Sequence, residues 1–135
     1  MMKPEDCIFF QLSRVSRAGA RFWQKKVAGF EVTSAQALAL LFLFEQDQVT
    51  SKTIGEKTEF DSATLTGLLD RLERSGLVER RENPDDRRAI RICLTRKGGH
   101  TAQQIQSILE EENQAFLSTL TPEEGMVLRG LLKKL

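Results

Sequence analysis

The chain has 135 residues, 40% hydrophobic and 29% charged, a balance that excludes a disordered chain and, at this length, a large multidomain enzyme. Twenty basic residues against 19 acidic ones leave a net charge of +1, so any positive surface has to come from local segregation of charge. Cys7 and Cys93 stand far apart with no C-x-x-C, which indicates neither a disulfide scaffold nor a zinc site and fits a reducing cytoplasm. No apolar run approaches the ~18 residues of a membrane span, and the start of the chain lacks signal-peptide character, so a soluble, cytoplasmic protein with no membrane partner is expected.

From Pro4 to about Gly29, Ile8, Leu12, Val15, Phe22 and Trp23 recur at steps of three and four, the spacing of one helical face. At ~1.5 Å per residue such a helix spans roughly 36 Å, more than a small domain needs to cover its own core, so part of it is expected to meet a partner. Thr33 and Gln36 form a capping box, and Leu38, Leu40, Leu41, Phe42 and Phe44 fill a central helix to about Gln46. A short helix follows from about Ser51 to Thr58, with Ile54 inward. Asp61 is placed to cap the next helix by accepting from the Thr64 amide, and Leu65, Leu68, Leu69 and Leu72 form a stripe that leaves an opposite polar face. Gly76 suits a left-handed residue after that helix, with Leu77 folding back onto Leu72 in a Schellman ending.

Strands are expected near Leu77–Glu82 and Ala89–Leu94, the second alternating Ile90, Ile92 and Leu94 on a packed face with Arg91 and Cys93 on a wet one. Asn83-Pro84-Asp85-Asp86 supplies the turn of a hairpin with a charged tip. A helix begins after Thr95 with Ile105, Ile108, Leu109, Phe116 and Leu117 on its apolar side, and Gly98-Gly99 weakens its first turn. Thr121-Pro122-Glu123-Glu124 opens a last helix that carries Val127, Leu128, Leu131, Leu132 and Leu135.

A short helix, a tight connection, a second helix with one polar face and a basic-tipped hairpin describe a winged helix-turn-helix, whose second helix enters the DNA major groove. Between Arg71 and Lys97, nine basic residues against five acidic ones give a local net charge of +4. Ser62, Thr64 and Thr66 near the start of the recognition helix, with Arg71 two turns along, are candidates for base and phosphate contacts, because hydroxyls and arginine bond to both. At the hairpin tip Arg87 and Arg88 are candidates for a narrow minor groove, with Asp86 as support. Lys52, at the start of the preceding helix, is a candidate phosphate contact. No phosphate-binding loop, H-E-x-x-H or G-x-S-x-G is present, and His100 is the lone histidine, so neither an enzyme nor a cofactor or metal is indicated. The rival reading is a winged domain used only for protein–protein contact.

The run Arg71-Leu72-Glu73-Arg74-Ser75-Gly76-Leu77-Val78, then Asn83-Pro84-Asp85-Asp86-Arg87-Arg88, then Leu94-Thr95-Arg96-Lys97-Gly98, resembles the signature of the MarR family of bacterial transcriptional regulators. The match extends over nearly the whole chain. It implies a mainly α fold: a winged helix-turn-helix lobe over 33–97 and a helical dimerisation region formed by 1–30 and 98–135, within one MarR-like chain. It also implies a homodimer on a pseudo-palindromic operator, usually a repressor, released by a small hydrophobic or phenolic effector or by oxidation. The family's wing motif falls here on Asp86, Arg88 and Leu94-Thr95, which makes Arg88 the minor-groove arginine and Asp86 its partner.

Two sensing modes follow from the residues and the resemblance. Cys7 lies near the start of the first helix, where amide dipoles favour a thiolate, and the family's organic-peroxide-sensing branch carries a reactive cysteine near this point. Asp61-Ser62-Ala63-Thr64-Leu65-Thr66 is also similar to that branch, but those sensors use tyrosine hydroxyls to hold the thiolate and this chain has no tyrosine. The other mode is an apolar effector pocket between the lobes, with Phe9, Leu12, Phe22, Trp23 and Phe42 as candidate walls.

Overall fold

Local capping chemistry sets the helix boundaries in the computed structural model, which describes residues Met1 to Leu135. A 3-10 turn at Pro4–Asp6 precedes α1 (Ile8–Val27), so the expected first helix is interrupted at extended Cys7, and a second 3-10 turn, Ala28–Phe30, closes it. Helix α2 (Ser34–Glu45) opens with the expected reciprocal box: the Gln36 amide donates to the Thr33 hydroxyl at 3.2 Å, and the Thr33 amide donates to Gln36 Oε1 at 2.9 Å. Leu40 and Leu43 of α2 are fully buried and centre the core, whereas Leu38 and Phe44 stay exposed on its other side.

Strand β1 (Val49–Thr50) leads directly into α3 (Ser51–Thr58), whose Ile54 is buried. Helix α4 (Ser62–Arg74) carries Leu65, Leu68, Leu69 and Leu72 into the same core. Its ending is the expected Schellman motif: Gly76 has φ 74°, its amide donates to the Glu73 carbonyl, and the Leu77 amide donates to the Leu72 carbonyl at 2.9 Å.

Strand β2 (Val78–Asn83) keeps the expected length and lies one residue later, β3 (Asp86–Leu94) begins three residues earlier than expected, and β1 makes a third strand that the sequence did not announce. The antiparallel order is β1-β3-β2, with Val49 opposite Ile92 and Val78 opposite Leu94. Two side chains depart from simple alternation. Ile90 lies beyond the reach of the core and is exposed, while Cys93, on the face read as wet, is buried. Asp47, which accepts from the Leu94 amide at 2.9 Å, holds the α2–β1 loop against this end of β3.

Helix α5 (Arg96–Phe116) packs on α1 and α2, and α6 (Pro122–Leu132) opens with a second reciprocal capping box, Thr121 with Glu124. Helix α5 thus starts beside β3 of the three-stranded winged lobe and runs along α2 and α1. No single helix is long and apolar enough to cross a membrane.

Asp61 caps α4 through both carboxylate oxygens: the Thr64 amide donates to Oδ1 and the Thr64 hydroxyl to Oδ2, each at 2.8 Å. The Thr64 amide bond, followed by the hydroxyl bond, lowers the Asp61 pKa from its ordinary 3.8. A depressed pKa means the ionised cap stabilises the fold above the unfolded value and stops doing so as pH falls through the folded one. In urea unfolding across pH, the wild-type advantage over Asp61→Asn is therefore expected to be constant above pH 3.8 and to shrink below it. An advantage that does not change with pH would show that ionisation of the cap plays no part.

Candidate nucleic-acid interface

Burial of the leucine stripe turns the other side of α4 to solvent, and Ser62, Thr64, Thr66 and Arg71 are all exposed there. The Thr66 hydroxyl donates to the Ser62 carbonyl at 2.8 Å and the Thr64 hydroxyl to Asp61, so both present oxygen lone pairs outward and serve best as acceptors. A Cβ added at Gly67 would lie 3.3 Å from Arg71 Nη2, so the Arg71 guanidinium sits back over Gly67 along the same face. Lys52 is exposed in the first turn of α3, whose N-cap is Thr50.

The wing tip is shaped by its own polar side chains. Asn83 Oδ1 accepts from the Asp85 amide at 3.1 Å, and Asp86 Oδ1 accepts from the Arg88 amide at 3.0 Å. Asp86 therefore meets Arg88 through the backbone of the tip and not through its guanidinium. Arg87 and Arg88 are exposed and neither joins an ion pair. The tip presents two free cations.

Arg80, on β2, is the residue that sequence reasoning counted only as one more positive charge. Its Nη2 donates to Asp70 Oδ1 at 2.7 Å, its Nη1 to Glu73 Oε1 at 2.8 Å, and its amide to Glu73 Oε2 at 3.1 Å. Burial opposes this charge most, yet the bonds to Asp70 and Glu73 outweigh it and raise the pKa. The wing is thereby tied to the recognition helix. The available signal was Asp70 and Glu73 three residues apart, which puts two carboxylates on one helical face. Arg81 pairs with Glu79, leaving Arg71, Arg74, Arg87 and Arg88 as unpaired cations along α4 and the wing tip.

Of the expected effector-pocket residues, only Phe22 and Trp23 meet. They line a cleft of about 210 Å³ with Gly19, Leu38, Leu109, Glu112, Asn113 and Phe116. Phe22 and Phe116 form a tilted ring pair at 5.3 Å, Lys26 lies 5.1 Å above Phe22, and Lys26 pairs with Glu112 at 3.2 Å. Trp23 Nε1 is buried there without a hydrogen-bond partner. Phe9 and Leu12 are exposed on α1, and Phe42 lies outside the cleft, because all three occupy other turns or faces of their helices. Cys7 is half-buried at the N-cap of α1, whereas burial, before any nearby charge, pushes the Cys93 thiol pKa up. His100 is exposed, and no group of three His, Cys, Asp or Glu side chains is close enough to hold a metal ion.

Comparison with known proteins gives a consistent set of likenesses. The family model described as MarR family matches residues 32–90. An organic hydroperoxide resistance transcriptional regulator of Bacillus subtilis is 37% identical over 97 residues, covering 72% of this chain and 66% of that protein. The chain thus spans just under two thirds of that relative's length. The crystal structure of a probable transcriptional regulator from Pseudomonas aeruginosa superposes with a TM-score of 0.91 at 30% identity, covering 98% of each chain. A mutant MarR from Escherichia coli, complexed with operator DNA, superposes with a TM-score of 0.87 at 28% identity, covering 94% of this chain and 91% of that one.

The Arg80 tie carries a direct test. Arg80→Met leaves two carboxylates without their shared donor and is expected to cost about 1–3 kcal/mol in urea unfolding. A double-mutant cycle with Asp70→Asn is expected to show coupling between the two positions. Additive losses would mean that the pair contributes nothing beyond its separate surroundings.

Proposed function

The chain belongs to the MarR family, and on that premise we propose that it is a sequence-specific DNA-binding transcriptional repressor. It acts in the cytoplasm as a homodimer on a pseudo-palindromic operator. The observation that carries this reading is the pairing of an exposed hydroxyl-and-arginine face on α4 with a wing tip whose Arg87 and Arg88 have no partner within the protein. The α4 face suits base edges and phosphates in a major groove, and Arg88 suits the negative potential of a narrow minor groove. Lys52 and Arg87 supply phosphate contacts, and Asp86 keeps the tip in shape. An adaptor that bound only protein would have no use for cations gathered on these two elements.

Residues 33–97 form the DNA-binding lobe in this reading, and 1–30 with 98–135 form the dimer. Support for the dimer comes from apolar surface that the chain does not cover itself: Phe9 is 79% exposed, Met126 66% and Val127 60%. Charge is complementary too: Lys26 and Glu112 already pair within the chain, but α1 also carries Arg14, Arg17, Arg21 and Lys25 with no acidic residue, while α5 carries exposed Glu110 and Glu111. The Phe22–Trp23 cleft suits release by a small hydrophobic, single-ring effector such as a phenol, with an acceptor atom for Trp23 Nε1.

A second reading is favoured by the likeness to the hydroperoxide resistance regulator. In it the Cys7 thiolate attacks one peroxide oxygen, the O–O bond breaks, and sulfenic acid and an alcohol result. Gel-shift titration with and without organic hydroperoxide distinguishes the two modes. Release of wild type but not of Cys7→Ser would establish the thiol as sensor, and equal release of both would remove it.

The DNA reading is tested with duplexes selected from random sequence. Arg88→Ala, which changes both wings of the dimer, is expected to cost about 2–6 kcal/mol of binding with the dimer intact, and Lys52→Ala, which removes one phosphate contact per protomer, to reduce the salt slope by about 2. Unchanged affinity in folded Arg88→Ala would take the wing out of the mechanism.

A further inference from the structure

The end of the recognition helix and the start of α5 meet through hydrogen bonds to backbone carbonyls. Three consecutive carbonyls at the α4 terminus are occupied by one short segment. Lys97 Nζ donates to the Ser75 carbonyl at 3.1 Å, the Thr95 hydroxyl to the Gly76 carbonyl at 2.6 Å, and the Thr95 amide to the Leu77 carbonyl at 3.1 Å. The same Thr95 hydroxyl accepts from the Gly98 amide at 3.0 Å and so caps α5 while gripping the end of α4. Gly98 permits the approach: a Cβ there would stand 1.8 Å from the Leu77 carbonyl oxygen and 2.7 Å from its carbon, backbone atoms that cannot swing aside. The glycine pair that looks like a weak first turn is, at Gly98, a steric requirement.

At ~1.5 Å per residue the 21 residues of α5 span about 31 Å, from this junction to the Lys26–Glu112 pair and the Phe22–Phe116 contact near its far end. A tilt of about 5° in such a rod displaces one end by about 3 Å, close to the rise of one base pair. Arg80 fastens the wing to α4 through Asp70 and Glu73. Recognition helix, wing and the start of α5 are therefore joined as one body.

We infer that the Thr95–Gly98 junction makes the recognition helix follow α5 rigidly, so that Thr95 and Lys97 are positioning residues that determine how strictly half-site spacing is selected. The spacing consequence rests on the dimeric DNA-binding reading; the rigid coupling itself does not.

Coupling is read without DNA from the distance between nitroxide labels on Thr66→Cys and Glu111→Cys in a Cys7→Ser background. Dilution with unlabelled chain ensures that only pairs within one chain are measured. Thr95→Val and Lys97→Met are each expected to widen the distance distribution about twofold or more, while Thr95→Ser, which keeps the hydroxyl, leaves it unchanged. Lys97→Met decides the matter if Thr95→Val fails to fold, and widths that stay at the parent value would overturn the coupling. For spacing, duplexes selected by the parent protein are lengthened by one central base pair. The parent is expected to lose about tenfold or more in affinity and Thr95→Val less than about threefold. Equal losses would overturn the positioning role. If the parent selects no duplex, the DNA reading fails while the label distances still judge the junction.

Discussion

The polar face of α4 exists because its opposite face is buried. Leu65, Leu68, Leu69 and Leu72 are each 5% exposed or less and share one core with Leu40, Leu43, Ile54 and Ile92. Burying a leucine side chain contributes about 1.5–3 kcal/mol, so rolling α4 far enough to expose two of them costs about 3–6 kcal/mol. That is comparable with the whole stability of a small domain, about 5–15 kcal/mol. The rotation of the helix is thus fixed by hydrophobic burial, and Ser62, Thr64, Thr66 and Arg71 inherit their outward direction from it. The cap at Asp61 and the Schellman turn at Gly76 fix where the helix starts and stops, which sets the positions of those side chains along its axis.

Arginine serves two opposite purposes in this lobe. Arg80 is surrounded by its own carboxylates and spends its charge on geometry, tying β2 to α4. Arg71, Arg87 and Arg88 have no ion-pair partner and keep their charge available for a polyanion. A sum of charges over Arg71–Lys97 cannot separate these uses, since Asp70, which takes up part of Arg80, lies just outside that segment. The potential that matters is that of the unpaired cations at the helix face and wing tip.

What could be read from the sequence was local. The Thr33–Gln36 and Thr121–Glu124 boxes, the Asp61 cap, the leucine stripe and the Gly76–Leu77 turn all rest on residues within seven positions of one another, and each is present as expected. What escaped depends on partners distant along the chain. Strand β1 is two residues long and exists only because Ile92 and Arg91 lie beside it. Cys93 loses its solvent where the Asp47 loop closes on β3, and Gly98 owes its identity to a carbonyl at Leu77. Helical spacing also identified the apolar side chains of α1 without saying which would face the chain's own α5: Phe22 and Trp23 do, and Phe9 and Leu12 do not.

In the proposed complex, two copies of α4 and two wings address one duplex from one side. Hydroxyl-radical footprinting of a selected duplex reads that arrangement. A dimer bound this way gives two protected tracts about 10 base pairs apart, related by the dyad of the sequence and flanked by protection from the wings. A single tract, or uniform weak protection with no dyad, would contradict it.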